Sequence, residues 1–200
     1  IVGYIGNKEA QPILVSGLKR LEYRGYDSSG VATISQTSDV TLLREKGKVA
    51  ELDKSLVAHV TDDTVGIGHT RWATHGAPSK RNAHPHHVGD IYLVHNGIIE
   101  NYQDLKIMLM NHGHDFKSDT DSEVLAALID HLAQETDTVH QAVSGALKMV
   151  VGTYGIALFS AKDPDEIIVA RRGSPLILGL GDGEVFIASD ASALVGYTDR

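Results

Sequence analysis

Two short stretches concentrate the side chains that could do chemistry. Gly68-His69-Thr70-Arg71-Trp72-Ala73-Thr74-His75-Gly76-Ala77-Pro78 is followed closely by Asn82-Ala83-His84-Pro85-His86-His87. They carry Arg71, the chain's single tryptophan, two threonines and five histidines, punctuated by glycine and proline. The apolar run Thr64-Val65-Gly66-Ile67 leads into them. A strand that ends in such a loop gives a rigid base from which polar groups reach a ligand. Arg71, just after that strand, can grip a carboxylate with two parallel N–H donors, which lysine cannot match; its bland role is a buried ion pair. Asp121, in the first turn of a helix, complements the helix dipole in its bland role. In a pocket it would instead hold an ammonium group. Arg71 and Asp121 together would recognise the two charged ends of an α-amino acid.

Asn96-Gly97 lies between Ile91-Tyr92-Leu93-Val94-His95 and Ile98-Ile99. It has the signature of a type I′ hairpin turn, whose two central residues need φ > 0. The same pair offers a side-chain amide and a backbone N–H that can stabilise an oxyanion. Other chemistries fit less well. Seven of the eleven histidines lie between His59 and His95, and His84, His86 and His87 could reach a metal. Pro85 divides them, however, and no acidic residue is interleaved, so a structural role is favoured. Ser28, Ser29 and Ser174 sit on loops, but no Gly-x-Ser-x-Gly elbow or base partner accompanies them.

The elements that must position these groups follow from composition and periodicity. Of 200 residues, 42% are apolar and 22% charged, with a net charge of −8. That supports a substantial core and argues against a nucleic-acid partner, which needs a basic face. No apolar run approaches the length of a membrane span, and the run Ile1-Val2-Gly3-Tyr4-Ile5-Gly6 is too short for a signal peptide and lacks its basic start. With no cysteine there is no disulfide framework. The expectation is a cytoplasmic protein, read as one domain over residues 1–200. The ends, an apolar run without an initiator Met and Gly196-Tyr197-Thr198-Asp199-Arg200, read as those of a segment.

In order, residues 1–5 predict a buried strand and residues 9–23 a helix, with Ile13, Leu14, Leu18 and Leu21 on one face. Residues 31–34 and 41–44 predict a hairpin, 49–58 a short helix and 65–70 a strand. Residues 102–111 predict a helix. Thr120 and Glu123 have capping-box spacing for a helix running to about Gln134, and 139–151 predicts another. Residues 154–159, 167–170, 176–180 and 185–188 then predict an antiparallel meander, with Ser189-Asp190 capping a last helix. Strands at both ends and helices between them make an α+β pattern, best met by two packed antiparallel sheets with helices outside.

Several blocks carry a resemblance. They are Arg20-Leu21-Glu22-Tyr23-Arg24-Gly25-Tyr26-Asp27-Ser28-Ser29-Gly30, His69 through Gly76, Asn82-Ala83-His84-Pro85-His86, His95-Asn96-Gly97-Ile98-Ile99-Glu100-Asn101 and Ser118-Asp119-Thr120-Asp121. In this order they resemble the glutaminase domains of the glucosamine-6-phosphate synthases, over essentially the whole chain. The resemblance implies an N-terminal nucleophile hydrolase fold, a four-layer αββα sandwich with two antiparallel sheets. It implies hydrolysis of L-glutamine through a glutamyl thioester, with no cofactor and no metal. The nucleophile would be a cysteine, followed by glycine, directly ahead of Ile1, its free amine acting as base.

By matching position, the resemblance implies that Arg71 holds the substrate carboxylate and Asp121 its ammonium. Asn96 and Gly97 form the oxyanion hole. Trp72, Thr74 and His75 line the pocket under a lid from Arg71 to about Ser79. Arg24 supports the N-terminal residues, while His84 and His95 organise the site by hydrogen bonding. It also implies a domain continuing past Arg200, and a full-length homo-oligomeric enzyme whose isomerase domains accept the ammonia on fructose 6-phosphate in amino-sugar biosynthesis. The competing readings are a non-catalytic glutamine-binding module, the glutaminase of another class II amidotransferase, and a metal-dependent hydrolase built on the histidines.

Overall fold

A computed structural model describes residues 1–72 and 76–200; Ala73, Thr74 and His75 lie outside the described residues. Two antiparallel sheets face each other. The first has six strands: β1 (Val2–Ile5), β2 (Ser28–Ile34), β3 (Val40–Lys46), β4 (Val65–Arg71), β9 (Ile177–Leu180) and β10 (Val185–Ala188), in the order β3-β2-β4-β1-β10-β9. The second contains β5 (His86–Val88), β6 (Ile91–Ile99), β7 (Gly152–Ser160) and β8 (Asp163–Arg172), in the order β5-β6-β7-β8. Helices α1 (Ala10–Leu21) and α2 (Val49–Leu56) belong to the first half of the chain. Helices α3 (Tyr102–Asn111), α4 (Asp121–Ala133) and α5 (Val139–Met149) follow β6.

Three buried clusters define the four layers. Val2, Tyr4 and Val31 pack beneath Leu14, Leu18 and Leu52 of the first pair of helices. Ala32, Ile34, Val65 and Ile67 meet Tyr92, Val94, Ala157 and Phe159 between the sheets. Leu93, Ile156 and Leu158 meet Leu109, Val124, Leu128 and Val143 under the remaining helices. The αββα sandwich expected from the sequence is therefore present. Each of its interfaces buries aliphatic side chains worth about 2 kcal/mol apiece. Among the described residues no helix is long and apolar enough to cross a membrane.

The alternation along β4 shows how sequence aims the site. Val65 and Ile67 point between the sheets. Gly66 and Gly68 point outward, where a Cβ would stand 2.9 Å and 3.1 Å from Leu14 and Leu18 Cδ1. The glycines admit α1 closely, and the period of two sends His69 and Arg71 inward at the end of the sandwich.

Two expectations need correction. Asn96-Gly97 is not a hairpin turn: β6 runs unbroken, with Asn96 opposite Gly155 and Gly97 opposite Tyr154 of β7. Gly97 does have the positive φ (124°) that suggested a turn. It serves a close backbone approach instead, since a Cβ there would lie 2.2 Å from the Thr153 carbonyl oxygen. The last four strands are also not one meander. β7 and β8 pair in the second sheet, while β9 and β10 cross to the first, where β10 pairs with β1 and β9 forms the edge beyond it. The final helix is a single 3-10 turn (Ala191–Leu194), capped by Asp190 through the Ser192 N–H. Short β5 had no signal beyond two histidines and a valine.

Replacing Gly97 by alanine should strain β6 at both φ and the Thr153 contact. The expected loss is about 2 kcal/mol or more, read as a lower urea midpoint with an unchanged m-value.

Candidate active site

Where the sheets part company at one end, the aliphatic layer between them gives way to polar groups. The resulting cavity of about 270 Å³ is lined by residues of both sheets and of α4, among them Ile1, His69, Arg71, Asn96, Gly97 and Asp121. Its central contact crosses the sandwich. His69 of β4 and Asn96 of β6 face each other, with His69 Nε2 2.8 Å from Asn96 Oδ1. Burial drives the His69 pKa well below its ordinary value, so the ring is neutral. With the proton on Nε2, the ring donates to the Asn96 oxygen and leaves the Asn96 Nδ2 donors for the cavity.

Arg71 is buried and held in place. Its Nη2 donates to the Gly76 carbonyl at 2.9 Å, and its Nη1 lies 3.5 Å from Asp27 Oδ1. The Asp27 N–H in turn donates to the Arg71 carbonyl at 2.7 Å, so the turn before β2 braces the end of β4. Asp121 begins α4. Thr120 is the N-cap, its Oγ1 accepting from the Glu123 N–H at 3.2 Å, as the sequence spacing requires. Glu123 does not close the box on Thr120 itself. Its carboxylate accepts from the Lys117 and Ser118 N–H groups and from the Ser118 hydroxyl. Asp121 Oδ2 accepts from the Ile99 N–H at 2.9 Å, tying the helix start to the end of β6. Arg71 and Asp121, far apart in sequence, thus line one cavity.

The remaining expected residues are distributed as follows. Trp72 is on the cavity wall, mostly exposed, with its ring laid where Gly25 has no side chain. Thr74 and His75 lie outside the described residues. Arg24 is at the cavity rim, paired with Asp190 and donating to the Tyr23 hydroxyl at 2.9 Å. His95 lies against α4, Nδ1 2.9 Å from the Ser122 hydroxyl. His84 departs from its expected hydrogen-bonding role: neither ring nitrogen has a protein partner among the described residues. It is stacked on His69 with ring centroids 4.1 Å apart and edge-on to His86 at 4.6 Å.

His69 and Ser189 were not singled out from the sequence. His69 was legible as the inward neighbour of Arg71 two residues away on one strand. Ser189 was seen only as a cap. It seats the start of β1: the Ile1 nitrogen donates to its hydroxyl at 2.8 Å, and its own N–H donates to the Ile1 carbonyl at 3.0 Å. No group of three or more metal-binding side chains is assembled among the described residues. His86, His84 and His69 instead form a buried neutral stack. Burial, then the nearby Arg44 and Arg71 charges, push the His86 pKa down to about 3.

Comparison with known proteins bears on this site. A family profile described as a glutamine amidotransferase domain matches residues 53–200. The whole chain is 55% identical to glutamine–fructose-6-phosphate aminotransferase (isomerizing) of Chlorobaculum tepidum, covering 33% of that protein. It is 52% identical to the protein of the same name from Bacteroides thetaiotaomicron, again covering 33% of it. Among solved structures, glutamine phosphoribosylpyrophosphate amidotransferase from B. subtilis superposes with a TM-score of 0.83 at 27% identity, over 96% of this chain and 42% of that one. The chain thus spans about a third of the length of the curated relatives it matches.

The buried histidines predict acid sensitivity. The unfolded chain takes up protons near pH 6.5 while the folded chain keeps these rings neutral, so stability falls as pH drops below that value. Each ring should cost about 1 kcal/mol between pH 6.5 and 5.5, the slope approaching about 1.4 kcal/mol per pH unit below that. Urea denaturation should show the decline, and His86→Gln should lower its slope by about one proton's worth.

Proposed function

Because the chain belongs to the family of glutamine amidotransferase domains, we propose that this cavity binds L-glutamine by both charged ends and splits its side-chain amide into glutamate and ammonia. The observation that carries the reading is the meeting of Arg71 and Asp121 on one cavity beside Asn96 and Gly97. Arg71 takes the α-carboxylate and Asp121 the α-ammonium, which leaves the carboxamide directed along β6. Beyond Leu93, β5 has ended and β6 has a strand on one edge only. Backbone groups on the other edge are therefore available to a ligand. Asn96 Nδ2 and the Gly97 N–H provide the donors for the oxyanion.

The attacking group comes from a cysteine two positions ahead of Ile1, with glycine between. Register supports the placement: β1 runs antiparallel to β4 with Val2 opposite Gly68, so that position extends to a point opposite Arg71. The thiolate adds to the amide carbon while the cysteine's own amine holds the proton. The tetrahedral oxyanion rests on Asn96 and Gly97. Collapse breaks the C–N bond, and ammonia leaves with the amine's proton. Water then adds to the thioester, and the thiolate departs to leave glutamate. Trp72 and the loop after it exclude bulk water during these steps. In a longer protein with sugar-isomerase domains the ammonia aminates fructose 6-phosphate, in a cytoplasmic homo-oligomer.

Asp121→Asn and Arg71→Lys should each weaken L-glutamine binding to this chain by about tenfold or more, measured by titration. In a form carrying Cys-Gly ahead of Ile1, Asn96→Ala should lower kcat for glutamine hydrolysis by about 10²–10³ with a smaller change in KM. Unchanged turnover would remove Asn96 from the oxyanion hole.

A further inference from the structure

The two groups proposed to hold the ends of an amino acid come from different layers. Arg71 closes β4 in the first sheet, whereas Asp121 opens a helix outside the second. Their spacing must be fixed by something other than either element. Asn82, 1% exposed and outside the cavity, lies between them. Its Nδ2 donates to the Ala77 carbonyl at 2.9 Å and to Asp119 Oδ2 at 3.2 Å, and its Oδ1 accepts from the Asp119 N–H at 3.0 Å. One side chain thus staples the segment after Arg71 to the segment before Asp121.

Both ends of this staple reach the site directly. The Gly76 carbonyl that accepts from Arg71 belongs to a residue packed on Asn82. A Cβ on Gly76 would stand 2.5 Å from Asn82 Nδ2 and 3.0 Å from Asp119 Cβ. Asp119 is two residues before Asp121, whose own carboxylate is fixed by Ile99. A continuous run of contacts therefore joins Arg71, Gly76, Asn82, Asp119 and Asp121. Ser79 Oγ, accepting from the Asn82 N–H at 3.2 Å, anchors the staple locally.

Resting on the glutamine-binding reading above, we propose that Asn82 is a positioning residue that couples the carboxylate and ammonium subsites. It makes the site selective for ligands carrying both charges at the spacing of an α-amino acid. The physical reason is that a buried amide satisfied by two segments holds them at one separation, and its loss leaves buried groups unpaired that relax by moving apart. Coupling of this kind is a free energy shared between subsites. It appears only when a ligand occupies both.

The test is an affinity comparison by NMR-monitored titration of this chain. The ligands are L-glutamine, 4-carbamoylbutanoate, which lacks the ammonium, and 4-aminobutanamide, which lacks the carboxylate. Asn82→Ala should weaken L-glutamine about tenfold and each one-ended analogue less than about twofold. Equal loss for all three ligands, or none, would overturn the coupling. Asp119→Ala, at an exposed position, removes one staple bond and leaves the backbone N–H. It should give the same selective pattern with a smaller loss, and it decides the matter if Asn82→Ala does not fold. A parent chain that binds no L-glutamine would instead overturn the glutamine reading itself, and this proposal with it.

Discussion

The hydrogen bond between His69 and Asn96 spans the gap between two sheets that meet mainly through apolar side chains. Its length of 2.8 Å requires β4 and β6 to lie in a fixed relation, one that non-directional packing does not specify. It also fixes which end of the Asn96 amide faces the cavity. Were His69 to charge, its Nδ1 would become a second donor, and that atom is buried without a protein partner among the described residues. The site therefore depends on a ring kept neutral by the core around it.

That dependence explains the stack of histidines behind the cavity. A polar layer was needed where the aliphatic core ends. Neutral imidazoles supply flat, packable surfaces that still offer nitrogen atoms at their edges. His84 shows the cost, with two ring nitrogens buried without a protein partner among the described residues. Two further bonds, from His86 to Thr120 Oγ1 and from His95 to Ser122 Oγ, attach rings to the start of α4. The helix start, the rings and the end of β6 form one rigid wall.

Much of this was legible in the sequence, because local rules decided it. The Thr120 cap, the stripes of α1 and α4, and the inward aim of Arg71 all follow from spacing over a few residues. The misreadings came where tertiary pairing overrode a local signal. Asn96-Gly97 carried every mark of a hairpin, yet its positive φ answers to the Thr153 carbonyl on a partner more than fifty residues away. The split of the last four strands between two sheets could not be read from turn residues, which fix reversals and not partners. Asn82 was visible only as part of a motif. Its three bonds join segments whose proximity no periodicity encodes.

The pairing of β1 with β10 has a consequence for how the chain is made. Ile1 and Ser189, in contact through three hydrogen bonds, are separated by 188 positions. β1 can settle early against β4, but its other edge stays open until β10 leaves the ribosome. At roughly 5–20 residues per second that interval is about 10–40 s. While the intervening residues are made, β1 borders a sheet that still lacks β9 and β10. The cavity wall that Ile1 and Ser189 help to build closes only after β10 has been made.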